Sequence, residues 1–429
     1  MAIVQSLKRR YKTPALKAMG IYTLTNFLGK GLSFLLIPIF TNPRFLTPAD
    51  NGLLSLYSQA VIFLVSFVSL GVLKSASVDY FKLDREKFRD FFTTGIFMAL
   101  GMTLLALVVF ALMKGALTRE YAFPSLFIWA IPLTALGTFF YEMILTLIRN
   151  QDKAGAFMKV STLRISGELG FAVVFIVILG WGWFGRVAGM LIALGSLSGY
   201  ALFYFHKNGL LGGRIRKAII VGELKFSVPV IILQLSTFFL FSSDSFLIAG
   251  ITRNNSLVGI YGTACTFGSI LITLSSALLQ YMIPKINYAL SRPEVPYRNI
   301  RNHFLTYLSV MIFAYATLWF LIPLIYHLCI NSRYWPGIRF YYLLSTGYFF
   351  WTLTTFFYSF LIYDKSKRKI FLLAVVSILV SLISNYGFIS HFGAIGASVS
   401  VCLSYFVVLV IVVIFTRSYW SKILKATHR

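Results

Sequence analysis

Apolar residues gather in twelve stretches along the chain, at roughly 20–41, 51–73, 91–113, 121–147, 160–180, 185–205, 227–250, 257–283, 304–329, 336–362, 370–389 and 393–415. Each is close to the ~20 residues that a hydrocarbon core about 30 Å thick requires of one helix. Polar and basic residues fill the short segments between them. The pattern predicts an all-α membrane protein with about 12 transmembrane helices, in two six-helix halves around a central cavity.

The connecting segments then sort by charge. Thirty of the 39 Lys and Arg residues fall at the N-terminus, in 74–90, 149–159, 206–226, 284–303 and 363–369, and at the C-terminus. The alternate segments hold only Arg44, Lys114, Arg119, Arg186, Arg253, Arg333 and Arg339. This alternation predicts that both termini are cytoplasmic. The first apolar stretch is too long for a signal peptide and lacks a small-residue cleavage site. It is expected to stay in place as the first helix.

Composition sharpens the class. The chain is 58% hydrophobic with a mean hydropathy of +0.80, which no soluble domain shows. Its net charge of +26 is accounted for by the basic segments, and with no soluble domain there is no nucleic-acid partner to expect. Cys265, Cys329 and Cys402 lie in apolar stretches without metal-ligand spacing and read as small packing residues. There is no metal cluster, no nucleophile–base set and no phosphate-cradling glycine loop. No cofactor is expected, and the chain reads as a transporter, not an enzyme. A membrane glycosyltransferase or polymerase would need larger outer segments than these, whose clear acids are Asp50 and Glu120.

A faint repeat divides the chain. NNSLVGIYGTA (254–264) echoes DNGLLSLYSQA (50–60), pairing Tyr261 with Tyr57 and Ala264 with Ala60. GMLIALGSLSGY (189–200) likewise echoes GASVSVCLSY (396–405). The expected organisation is an N-terminal six-helix bundle at 1–206, a basic cytoplasmic linker at 207–226 and a C-terminal six-helix bundle at 227–429.

Charges inside the spans are the candidates for function, because a charge at bilayer depth costs at least ~2.5–3.5 kcal/mol. Lys30, flanked by Gly29 and Gly31, either snorkels or pairs with a buried carboxylate, or it lines a cavity that receives an anionic substrate. Arg164 and Glu168 share one helix face. They either neutralise each other, or Arg164 holds the substrate and is released when Glu168 takes a proton. Glu142 is a partner for Lys30 or a proton-linked carboxylate. Asp244 sits among Ser242, Ser243 and Ser245, which can satisfy it locally at a helix end. Arg186, beside Trp181 and Trp183, reads as an interfacial anchor. Gly185/Gly189 and Gly393/Gly396 read as close-packing points. His303 and His327 have no metal spacing.

Five stretches resemble the bacterial polysaccharide flippases, the O-antigen and exopolysaccharide (Wzx-type) transporters of the multidrug/oligosaccharidyl-lipid/polysaccharide (MOP) exporter superfamily. They are GKGLSFLLIPIFT…LTPADNGLLSLYS (29–58), RNQDKAGAFMKV (149–160), GWFGRVAGMLIA (182–193), DSFLIAGITRNNSLVGIYGTA (244–264) and SNYGFISHFGAIGASVSVCLSY (384–405). The resemblance implies a MOP-like fold in the bacterial inner membrane. It implies translocation of a polyprenyl-diphosphate-linked oligosaccharide from the inner to the outer leaflet. A proton or sodium gradient, membrane lipids and the polysaccharide polymerase machinery are the expected partners. Lys30 and Arg164 are expected to meet substrate, with Glu142, Glu168 and Asp244 as coupling or charge partners. A multidrug/cation antiporter of the same superfamily is the alternative, and it would want an acidic cavity.

Overall fold

The computed structural model describes residues 29, 31, 32 and 34–425. Lys30 lies outside the described residues. Among the described residues the chain is helical without strands. A helical segment at Ile37–Phe40 is followed by α1 (Pro48–Ser69), α2 (Val72–Lys82), α3 (Arg85–Leu112), α4 (Lys114–Tyr121), α5 (Ser125–Asn150) and α6 (Ala154–Val173), which runs on as a π turn at Val174–Ile178. Then come α7 (Gly182–Lys207), α8 (Lys217–Phe241), α9 (Ser243–Thr252), α10 (Asn255–Leu290) and α11 (Tyr297–Cys329). The chain closes with α12 (Gly337–Tyr363), α13 (Lys367–Phe392), α14 (Ala394–Phe415) and α15 (Arg417–Lys425).

Ten of the described helices are long and apolar enough to cross a membrane: α1, α3, α5, α6 with its π turn, α7, α8, α10, α11, α13 and α14. Half of the first expected span lies outside the described residues. The span expected at 336–362 is present as α12, 27 residues long. Its apolar character is diluted by Tyr341, Tyr342, Tyr348, Thr352, Thr354, Thr355 and Tyr358.

Three segments differ from the sequence expectation. The basic stretch 74–90, read as a solvated loop, is largely helical. Leu70 and Gly71 take left-handed φ values of 42° and 71°, the chain turns, and α2 begins at once. Val72, Ser75 and Ala76 are buried on one face of α2, so its charges occupy the other. The span expected at 227–250 is broken into α8 and α9 at Ser242, whose φ of −138° is not helical. The C-terminus adds α15, an amphipathic helix whose Trp420 packs on Phe304 and Phe357.

The helices form two compact units. One holds Tyr57–Leu235 with Arg44–Leu46 and the residues up to Phe40. The other holds Ser236–Arg429 with Thr41–Pro43 and Thr47–Leu56. In the first unit, α7 packs closely on α6 and on its π turn. A Cβ on Gly185 would lie 3.0 Å from the Phe175 carbonyl carbon, and one on Gly189 would lie 3.1 Å from the Ala172 nitrogen. Only glycine lets the two backbones come this near.

In the second unit Gly396 does the same for α13 and α14. Its Cβ would fall 2.0 Å from the Phe388 carbonyl oxygen. The two echoing stretches of the sequence meet within this unit. A Cβ on Gly52 of α1 would strike the Asn255 carbonyl oxygen at 1.8 Å, and one on Gly259 of α10 would strike that of Pro48 at 2.0 Å.

Candidate functional site

The close approach of α7 to α6 decides what Arg186 touches. It sits one turn into α7, next to Gly185, and Glu168 lies on α6 before the π turn. The Arg186 Nη2 is 3.8 Å from the Glu168 Oε1. The other oxygen, Oε2, is 3.8 Å from the Nε of Arg164, one turn earlier on α6. A single carboxylate therefore stands between two guanidinium groups, and the cluster carries one net positive charge. Counted from the start of α6, Arg164 and Glu168 lie roughly 15 and 21 Å along the helix. Both are well inside a span.

Aromatic rings complete the surroundings. The Arg164 guanidinium lies over Tyr141 of α5, 4.4 Å from the ring centre, and the Arg186 guanidinium lies over Phe40 at 4.8 Å. Such contacts stabilise a partly desolvated cation by ~0.5–2 kcal/mol. Tyr141 is itself held by its hydroxyl donating to Ser161 at 3.4 Å. Gly29 also belongs to this neighbourhood, since a Cβ there would meet the Ile165 side chain at 2.4 Å. Ile165 directly follows Arg164 in the chain.

The cluster is incompletely satisfied. At 3.8 Å the ion pairs are longer than hydrogen bonds. The Nε of Arg164 and the Nη1 of Arg186 are buried and donate to no described atom. The side chains remain 25% and 21% exposed. An arginine has five N–H donors in a planar fork suited to phosphate. This arrangement holds two cations in the membrane region with donors left over.

The other expected residues lie elsewhere. Glu142, half-buried on α5, forms no ion pair or hydrogen bond with a described residue. Asp244 is in the second unit, 5% exposed, in the first turn of α9. Its Oδ1 accepts from the Ser245 backbone N–H at 2.8 Å, and its Oδ2 accepts from the Tyr261 hydroxyl. The neighbouring serines contribute that backbone contact, but the principal side-chain partner is a tyrosine from α10. The same unit holds a group of bonded hydroxyls: Ser384 meets Ser400 and Ser404 at 2.6 and 3.1 Å, and Ser381 donates to the Phe239 carbonyl at 2.7 Å.

Sequence reasoning missed Arg186 as a partner of Glu168, because the pairing crosses the π turn and depends on Gly185. The signal that could have found it is the presence of two arginines and one acid flanking a small-residue contact.

Residues 15–288 match the family model described as polysaccharide biosynthesis protein. The chain belongs to this family. No curated protein matches the chain in sequence. Among solved structures, the lipid II flippase MurJ in an inward closed conformation aligns with a TM-score of 0.73 at 13% identity, over 94% of this chain and 89% of that one. A multidrug resistance MATE family transporter of the MOP superfamily, inward-facing, aligns with a TM-score of 0.67 at 14% identity, over 93% of this chain and 96% of that one. This polysaccharide biosynthesis protein therefore has the MOP-type fold of about twelve transmembrane helices.

Proposed function

We propose that the protein is a flippase that moves a polyprenyl-diphosphate-linked oligosaccharide from the inner to the outer leaflet of the bacterial cytoplasmic membrane. Transport proceeds by alternating access, coupled to a proton or sodium gradient, with both termini cytoplasmic as the charge alternation requires. The supporting observation is the Arg164–Glu168–Arg186 cluster, net positive and short of hydrogen-bond acceptors inside a span. A diphosphate must leave its hydration water to cross hydrocarbon. Two guanidinium forks replace that water, and Lys30 adds a third cation from the first span.

Glu168 gives the site a release step. While ionised it competes with diphosphate for both arginines. Glu142 and Asp244 are the further carboxylates through which ion coupling can act. The polymerase machinery would receive the exported chain. The antiporter reading finds one support, the buried Asp244, but Asp244 is already held by Tyr261.

The test uses proteoliposomes loaded with a fluorescent polyprenyl-diphosphate oligosaccharide, with leaflet exposure read by a membrane-impermeant quencher. Arg164→Ala/Arg186→Ala should abolish translocation in a protein that inserts normally. Wild-type translocation by that variant would overturn the reading. Efflux of organic cations without lipid translocation would establish the antiporter instead.

A further inference from the structure

We propose that the second unit carries a binding site for the headgroup of a phosphatidylethanolamine-type lipid, recognised by its primary ammonium and its phosphate. The site is a cavity of about 260 Å³ where α10, α11, α12 and α15 meet. Its chemistry-bearing walls are Tyr297, Tyr363, Asp364, Tyr419 and Lys422, and Leu290 supplies part of the apolar wall. The end of α10, the start of α11 and the end of α12 lie on one side of the membrane by helix alternation.

α15 sets the depth. At nine residues it is too short to span. Its Trp420 and Tyr419 are anchored on Phe357 and Phe360, with ring centres 4.5 and 4.9 Å apart, and Arg417 and Lys422 are exposed. Aromatic rings anchored in this way beside basic residues belong at the level of lipid headgroups.

The two charges in the cavity are separately available. Asp364 accepts the Tyr419 hydroxyl on Oδ1, and its Oδ2 accepts nothing from a described residue. An acid set among three tyrosine rings is a site for an ammonium group. Lys422 has no carboxylate partner among the described residues. Its Nζ lies 6.0 Å from the Tyr297 ring centre, within reach of the same opening. One cation and one anion in a single cavity match a zwitterion. An anionic headgroup would satisfy Lys422 and be repelled by Asp364. A quaternary ammonium could enter the rings but could donate no hydrogen bond to Oδ2. The site is independent of the transport reading, since it lies in the other unit and uses none of the cluster residues.

The experiment measures lipid binding to the detergent-purified full chain by native mass spectrometry. The probes are phosphatidylethanolamine, phosphatidylcholine and phosphatidylglycerol of matched acyl chains, with soluble phosphoethanolamine as competitor. Phosphatidylethanolamine should bind about tenfold more tightly than either other lipid, and the soluble headgroup should compete. Asp364→Asn and Lys422→Gln should each weaken it about tenfold, the loss of one charge-assisted contact. Both positions are exposed, so a circular dichroism spectrum and a single size-exclusion peak suffice to show folding. Equal or tighter phosphatidylglycerol binding, phosphatidylcholine binding as tight as phosphatidylethanolamine, or indifference to Asp364→Asn would each overturn the assignment.

Discussion

Tyr57 and Tyr261 hold matching places in the two echoing stretches, and both are fully buried. Their partners differ in kind. Tyr57 of the first unit bonds the Thr134 hydroxyl and donates to the Ala130 carbonyl at 3.2 Å. Tyr261 of the second unit donates to the carboxylate of Asp244. The repeated position keeps the ring and changes the charge around it. The same division runs through the rest of each unit. The first unit places two arginines around one glutamate inside its spans, whereas the second holds one aspartate against a tyrosine hydroxyl and the Ser245 backbone N–H. The repeated position thus keeps its buried ring while the two units differ in the charges they enclose.

The packing side of this comparison gives the largest expected effect. A Cβ on Gly396 would fall 2.0 Å from a carbonyl oxygen, whereas one on Gly185 would lie 2.9 Å or more from Phe175 atoms. Gly396→Ala should cost at or above the ~3 kcal/mol end of overpacking, and Gly185→Ala less. Thermal unfolding in detergent should rank them so, with Gly387→Ala, which meets nothing within 4 Å, as the control. Equal midpoints for all three would remove the packing account.

Next comes the charge contrast. Arg164→Ala or Arg186→Ala should weaken diphosphate-lipid binding roughly ten- to hundredfold, one charge-assisted contact each at ~1.5–3 kcal/mol. Arg164→Ala/Glu168→Ala leaves Arg186 and the same net charge. If net charge alone matters, translocation partly returns; if Arg164 itself forks the phosphate, it stays lost. Recovery to the wild-type rate would end the case for Arg164 as a substrate ligand.

The tyrosines give a smaller, sharper test. Tyr261→Phe strips a bond to a carboxylate and should cost ~1.5–3 kcal/mol, against ~0.5–1.5 for Tyr57→Phe. Denaturation midpoints of the two variants compare them directly, and a larger loss for Tyr57→Phe would reverse the assignment of roles.

The smallest effect belongs to an acid in water. Asp84 caps α3, accepting from the Lys87 N–H at 2.9 Å, and pairs with its ammonium at 2.8 Å. The Lys87 side chain holds the Asp84 carboxyl below its usual range. A depressed folded value stabilises above the unfolded value and is lost as pH falls through the folded one. Asp84→Asn should therefore leave stability near neutral pH almost unchanged and slightly flatten its acid limb, measured by a pH series of melting points. A large loss at neutral pH would contradict the exposed position.

The spans were legible because a run of twenty apolar residues has few other uses. The π turn at Val174–Ile178 was not, since its apolar residues read like the rest of the span. α2 was missed because Lys74, Asp79 and Lys82 read as solvated loop, while its buried face rests on the small residues Ser75 and Ala76. The tyrosine echo was visible in sequence, but nothing local to Tyr57 or Tyr261 names Thr134 or Asp244 as the partner. Arg164 and Glu168 could be paired from their spacing on one helix. Arg186 could not, because its distance to Glu168 is set by a backbone contact at glycine.

α12 has a consequence for how the protein is made. Its tyrosines and threonines place more hydroxyls along it than a wholly aliphatic span carries. In the finished second unit it is shielded chiefly by α10 and α14, with Phe356, Phe360 and Tyr341 buried. α10 is synthesised before it and α14 after it. During synthesis the face of α12 that rests on α14 therefore stays uncovered until the hairpin of α13 and α14 arrives. The last two spans are the closing pair of this unit, and a chain stopped before them would leave that face of α12 bare.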